Sequence, residues 1–287
     1  MSGFGRKALV SGLVLAAVVL VAPTLAEPVT PAGSAVEVLA PPPIPVTPTP
    51  APAYAQDMIA AGLNAAAKNL TVGAAVLDMT TGDLQVGGST EFYSASLSKL
   101  MLVVDMLDRD DDLSTSDEQW ISRALSLSDD NAMNALWSKF DGPDAMTRVA
   151  ASLGMTGTET PDHPSQWGET VVSPAGFARL YQHILSEMDE SDRDQIVEDL
   201  SAAQPAAADG YHQFFGLLGQ PAQVYAKQGW MYYGDKLYLH SAGVVHDDSG
   251  DYVVVLMTVQ PVTATTTAQA AVNNVASAML KVLATTS

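Results

Sequence analysis

The chain predicts an α/β fold of the α+β kind: a five-stranded antiparallel sheet flanked by its terminal helices, with a helical subdomain inserted. Three observations carry that reading. Strand-like runs fall into two groups, Thr71–Asp78 with 84–86 early in the folded part, and 224–231, 236–245 and 252–259 late in it. Between the groups, apolar residues recur at helical spacing. Segments of helical period also precede the first group and follow the last, so both can cover one face of a shared sheet. A chain of 287 residues with 47% hydrophobic content can bury such a core.

Ahead of the folded part, residues 1–26 read as a secretory signal. Arg6 and Lys7 form a basic start, 8–22 is a fifteen-residue apolar run, and Thr24-Leu25-Ala26 offers a small-residue cleavage site. The same residues also fit an uncleaved anchor helix, although fifteen apolar residues are few for a span. Both readings place the remainder outside the membrane, secreted or associated with the cell envelope, with membrane contact only through an uncleaved N-terminal segment. Residues 27–53 are rich in Pro, Ala, Val and Thr, with Pro41-Pro42-Pro43-Ile44-Pro45 at the centre. They are expected to form an extended, disordered linker of roughly 80 Å at most. It reads either as a spacer from a membrane or wall, or as a linker with no task.

The formal charge is −19, and removal of residues 1–26 leaves 11 basic against 32 acidic residues. So acidic a protein is expected to be repelled by nucleic acid and by anionic membrane surfaces. There is no cysteine, which excludes disulfides, thiolate chemistry and a lipid-anchored Cys. The five His are scattered without His-x-x-x-His or His-Glu-x-x-His spacing, so no metal site and no cofactor are expected.

The folded domain is expected over 54–287, its sheet part in 54–90 and 215–287 and its helical part in 91–214. Met58, Ile59, Leu63 and Ala66 fit a short amphipathic helix, and Thr80-Thr81-Gly82-Asp83 turns the first strand into the second. Residues 100–107 are apolar nearly all round, which predicts a helix buried in the core. It ends in Asp108-Arg109-Asp110-Asp111-Asp112, a solvated helix end rather than a calcium loop, since the EF-hand spacing and its Gly are missing. Residues 116–127 read as a helix with Trp120, Ile121, Ala124 and Leu125 inward. A second helix starts near Asp130 with Met133, Leu136 and Trp137, and 143–154 is a third. Residues 154–173, polar and broken by Pro161 and Pro164, read as a loop. Pro174 then starts a helix at its favoured first turn, with Phe177, Leu180, Tyr181 and Ile184 on one face. Acidic residues in 187–199 lie on a solvated face. Turns at Tyr233-Gly234-Asp235 and Asp247-Asp248-Ser249-Gly250 separate the last strands, and 266–284 closes as a helix with Val272, Val275, Met279 and Leu283 inward.

Chemistry concentrates in Phe92-Tyr93-Ser94-Ala95-Ser96-Leu97-Ser98-Lys99. Ser96 and Lys99 are one helical turn apart, on one face. A Ser hydroxyl is a poor nucleophile, and a lysine deprotonated by burial can act as its base. Alone, the pair is weak evidence and better fits an N-capping Ser beside a solvated Lys.

Two further segments join it: Ser128-Asp129-Asp130 in a turn between helices and Lys227-Gln228-Gly229 on a strand. In order and placement the three resemble the signatures of the penicillin-recognising serine enzymes, the class A β-lactamases and D,D-peptidases: Ser-x-x-Lys, Ser-Asp-Asn and Lys-Thr-Gly. The resemblance covers about residues 55–287. Asn134 keeps the spacing of a second Asn in class A members, and Ser173-Pro174-Ala175 before a helix is likewise similar. Within the family, Ser-Asp-Asp and Lys-Gln-Gly-Trp-Met are most similar to secreted actinobacterial proteins of the LppW type.

The resemblance implies a β-lactamase/transpeptidase-like fold and an acyl-enzyme route. Ser96 would be the nucleophile and Lys99 its base. Ser128 would relay a proton to the leaving nitrogen, and Lys227 would keep that relay poised. The backbone N–H groups of Ser96 and Trp230 would form the oxyanion hole, two donors at roughly 3 kcal/mol each. Asp130, Gln228, Gly229, Trp230 and Lys236 would meet the substrate.

Five departures bear on activity. Asp130 stands where the family has Asn; ionised, it can only accept, so it would repel an acyl-amide carbonyl or else pair with Lys99 and weaken it as a base. It could also simply cap its helix. Gln228 replaces a hydroxyl residue and would crowd the groove. Trp230 is a cleft-edge aromatic or a packed core residue, facing the same way as Gln228. Lys236 lies nine residues after Lys227, where many class A enzymes place a carboxylate-binding Arg, and is either that charge or a solvated turn residue. Finally, the Glu-x-x-x-Asn of class A deacylation is absent, and 154–173 offers only Glu159 and Glu169. The spacing of 32 residues from Ser96 to Ser128 implies a trimmed helical part and a more open cleft.

Together these readings predict a secreted serine acyl hydrolase or acyltransferase, a monomer acting on β-lactam or cell-wall peptide-like small molecules, with slow deacylation. The alternative is a catalytically silent relative that binds an envelope ligand or partner.

Overall fold

Strands that are apolar on both faces demand cover on both sides, and the chain supplies it from two sources. The computed structural model describes residues 54–284. The expected signal and linker lie outside the described residues. The strands are β1 (Thr71–Asp78), β2 (Leu84–Gly88), the two-residue β3 (Phe92–Tyr93) and β4 (Val171–Val172), and the long β5 (Gln223–Tyr233), β6 (Lys236–Asp247) and β7 (Gly250–Pro261). Five of them form one sheet in the order β2-β1-β7-β6-β5, antiparallel throughout. The helices are α1 (Tyr54–Ala65), α2 (Ser98–Asp108), α3 (Thr115–Ser126), α4 (Asp130–Lys139), α5 (Gly142–Ser152), α6 (Pro174–Ser186), α7 (Glu190–Ser201) and α8 (Thr265–Ala284).

Alternation along β1 shows the two layers. Val72, Ala74 and Val76 face α1 and α8, where Met58, Ile59, Val272, Val275 and Met279 close one core. Ala75 and Leu77 face the other core, built by α2 with Ile121, Met133, Phe177 and Ile184. The helix α2 is buried from Ser98 to Leu107, as its all-round apolar pattern predicts. Its one acid there, Asp105, is satisfied by Arg148 of α5, at 2.9 and 2.6 Å, which ties α5 to α2. At the start of α3, Ser114 and Asp117 cap each other's backbone.

The sheet and its flanking helices match the sequence reading, and two differences stand out. The loop 154–173 carries β4, which pairs with β3 and hydrogen-bonds Thr170 O to Ser94 N at 2.8 Å. The acidic stretch 187–199 largely forms α7, whose Ile196 and Leu200 are buried although most of its residues are polar. Too few apolar residues mark either segment for periodicity to find it.

Candidate active site

Three elements meet at one cavity: the turn before α2, the turn before α4, and the sheet-edge strand β5. Residues 95–97 form a short 3-10 turn, with α2 starting at Ser98. Ser96 makes no capping bond. Its Oγ instead accepts from Lys99 Nζ at 2.7 Å. Ala95, just before it, has φ +48°, a left-handed conformation that costs a β-carbon residue about 1–2 kcal/mol. Ser128 is left-handed as well, φ +52°. Such strain at two polar turns of one cavity is held by the surrounding packing.

Lys99 is fully buried, and its ammonium also donates to Asp130 Oδ1 at 2.7 Å. Burial lowers its pKa to about 8, against the opposing pull of Asp130. The indole of Trp167 covers it, with Nζ 4.1 Å from the ring centre. The capping role belongs to the neighbouring residue: Asp129 Oδ1 accepts from Asn131 N at 2.8 Å, and Arg123 holds its other oxygen. Asp130 is therefore left to the cavity, its side chain 62% exposed.

Lys227, also fully buried, donates to Ser128 Oγ and to Gln228 O, both at 2.8 Å. Burial lowers its pKa well below the ordinary lysine value, helped by Lys99 nearby. Gly229 lets β5 approach the nucleophile's turn. A Cβ there would lie 3.1 Å from Ser94 O and 3.4 Å from Ala95 Cβ.

Two expectations for the substrate side change. Gln228 does not crowd the groove: its buried amide donates to Phe215 O and, at 3.1 Å, to Gln213 O, on the loop beside β5. Lys236 is not beside the cavity. The tight turn at Gly234-Asp235 pairs it with Tyr233, at the hairpin's exposed end, with Asp235 4.0 Å away. The residue opposite Gly229 is His240. It is fully buried, and burial lowers its pKa to about 4. The neutral ring accepts from Thr258 N on Nδ1 at 3.1 Å and donates through Nε2 to Tyr93 O at 2.8 Å. It thus pins the strand that leads to Ser96. Trp230 does both things expected of it, lining the cavity and packing face to face on Tyr211 at 4.7 Å, with Nε1 donating to Asp209 at 3.1 Å.

The cavity holds about 360 Å³. Its floor is Ser96, and its walls include Asp130, Asn134, Trp167, Trp230 and Met231. Asn134 Oδ1 accepts from Trp167 Nε1 at 2.9 Å, and Trp137 Nε1 donates to Pro164 O at 2.7 Å, so the 164–168 wall is anchored twice. Neither Glu159 nor Glu169 is among the described residues lining the cavity. Sequence reasoning passed over Trp167, although a Trp in a polar, proline-broken loop is itself a signal of a binding wall. No group of three His, Asp or Glu suited to a metal occurs among the described residues.

Comparison with known proteins fits this geometry. The chain spans 79% of its length against an ancestral class A β-lactamase covered to 99%, at 19% identity and a TM-score of 0.62. Against the TLA-1 extended-spectrum β-lactamase the values are 80%, 99%, 12% and 0.65. A β-lactamase of Sphaerobacter thermophilus gives 80%, 98%, 18% and 0.61. These likenesses show the fold. In sequence, the chain is 33% identical over 210 residues to the protein named “Putative lipoprotein LppW” of Mycobacterium tuberculosis and of Mycobacterium bovis. The match covers 69% of this chain and 66% of the length of those relatives. The model of the β-lactamase enzyme family matches residues 108–283. With its fold, its sequence relatives and that match in agreement, the chain belongs to the β-lactamase enzyme family.

Proposed function

We propose that this chain is a serine acyl hydrolase or acyltransferase of the penicillin-recognising kind, acting outside the membrane through an acyl-Ser96 intermediate on β-lactam or cell-wall peptide-like substrates. One observation carries the reading: Lys99 Nζ is fully buried and 2.7 Å from Ser96 Oγ, with its pKa lowered to about 8. A neutral amine there takes the hydroxyl proton as Oγ attacks the carbonyl carbon. Ser128, bonded to Lys227, passes a proton to the leaving atom as its bond to carbon breaks. The loop that lines the cavity offers Trp167 and neither Glu159 nor Glu169, and the one carboxylate of the wall, Asp130, is paired with Lys99, so the acyl-enzyme is expected to persist. The relatives' name as lipoproteins supports an envelope location, although this chain has no cysteine to carry a lipid.

The grip of Asp130 on Lys99 favours a second reading, a relative that binds without reacting. Intact mass after incubation with a penicillin decides between them. An adduct on the wild-type protein that is missing from Ser96→Ala supports the acyl-enzyme. Unmodified protein and unconsumed drug support binding alone.

A further inference from the structure

We propose that the Ser96 cavity selects esters or amides whose acyl side carries an ammonium group, held by Asp130 between the indoles of Trp167 and Trp230. This rests on the acyl-Ser96 reading and narrows its substrate class.

Asp130 is the one charged side chain among the described residues that line the cavity. Its cap position is taken over by Asp129, so nothing in α4 requires its carboxylate. Trp167 and Trp230 line the same space, each fixed through its Nε1, on Asn134 and Asp209 respectively. A carboxylate with aromatic faces is a recognition set for ammonium ions. The protein already uses part of it this way, since the Lys99 ammonium sits 2.7 Å from Asp130 Oδ1 and 4.1 Å from the Trp167 ring centre.

An anionic group meets the opposite conditions. Lys227 is buried and committed to Ser128 and Gln228 O. The Gln228 amide is committed to the 213–215 backbone, and Lys236 lies at the hairpin end beside Asp235. A carboxylate on the acyl side would therefore meet the Asp130 carboxylate, with no cationic side chain among the described residues that line the cavity. The net charge of −19 also draws cations and repels anions.

The selection has a chemical consequence. An ammonium on the exposed side of Asp130 replaces Lys99 as its counter-ion, and Lys99 then releases its extra proton to solvent. The neutral amine takes the Ser96 proton, the Oγ–carbon bond forms, the bond to the leaving group breaks, and the proton goes to the leaving atom through Ser128. The substrate thus supplies the charge that frees its own base.

Three p-nitrophenyl benzoates of similar shape test this: 4-(aminomethyl), 4-ethyl and 4-carboxy. The readout is the rate of the p-nitrophenolate burst, each divided by that ester's hydrolysis in buffer, for the wild type, Asp130→Asn and Ser96→Ala. The expected result is an aminomethyl-over-ethyl preference of at least about 10-fold, a carboxy ester slower still, and a preference falling to within about 2-fold in Asp130→Asn. A wild-type preference near unity, one for the carboxy ester, or one that survives in Asp130→Asn overturns the selection and leaves acyl-Ser96 chemistry standing. No Ser96-dependent burst with any ester also overturns it, and if the penicillin adduct is missing too, the acyl-enzyme reading falls with it.

Discussion

Asp130 Oδ1 and Lys99 Nζ are 2.7 Å apart, and the same nitrogen is 2.7 Å from Ser96 Oγ. Two demands therefore compete for one amine. The carboxylate favours the ammonium, while the hydroxyl needs the neutral base. Burial is the larger influence and lowers the pKa to about 8, which leaves about a tenth of Lys99 neutral at pH 7.

Asp130→Asn removes the opposing influence, so Lys99 loses its proton at lower pH. Acylation by a neutral ester is expected to speed up several-fold at pH 7, with its inflection moved below 8. The pH profile of the acylation rate constant checks this, and an inflection that stays put or rises shows that Asp130 does not control the base.

Stability is expected to go on rising with pH on the alkaline side of neutrality. Lys99 titrates at about 8 when folded against 10.5 for the free side chain, so between those values the unfolded chain binds more protons. The burial cost is present in full below pH 8 and is relieved as pH rises through that window, by about 3 kcal/mol at most. Lys227 acts in the same direction. Urea midpoints are expected to rise from pH 7.5 to 9.5. Lys99→Met, with no charge to bury, should be more stable than the wild type at pH 7 and show a flatter rise. A wild-type midpoint that falls over this range contradicts the assignment.

How far these features were legible differs from residue to residue. β1 was visible at its true bounds, because Val72 to Leu77 is a bounded apolar run. The spacing of Ser96 and Lys99 is local, so the helix geometry alone brings them together. Of the two readings of Lys236 the solvated turn residue holds, because strand register, not sequence distance, decides what lies opposite Gly229; the turn at Gly234-Asp235 gives that place to His240. Gln228 and Trp230 face the same way, as alternation requires, but the loop that receives them, 209–217, has no periodicity to announce it. The positive φ of Ala95 and Ser128 is imposed by tertiary packing, and neither residue type signals it.

Gly229→Ala tests how tightly β5 must seat against the nucleophile's turn. The added methyl meets Ser94 O at 3.1 Å and Ala95 Cβ at 3.4 Å, so strand or turn must shift by a few tenths of an ångström. Overpacking of this size costs about 1–3 kcal/mol. Acylation is expected to fall by at least about 10-fold, since attack geometry tolerates little displacement. Burst rates and thermal melts together check this. A melt shift without a rate loss would place the strain away from Ser96.

Trp167 offers two substitutions with opposite signs. Its face stabilises the Lys99 ammonium at 4.1 Å, and its bulk keeps water away from the same group. Trp167→Leu keeps an apolar cover and loses the ring quadrupole, worth about 0.5–2 kcal/mol, so Lys99 should titrate below 8. Trp167→Ala admits water, relieves the desolvation that dominates the shift, and should raise the titration toward 10.5. The open variant should also let water reach the acyl ester and shorten the adduct's lifetime. Acylation pH profiles and adduct decay by intact mass separate the two influences. If both variants shift the inflection the same way, one of the two roles assigned to the indole is absent.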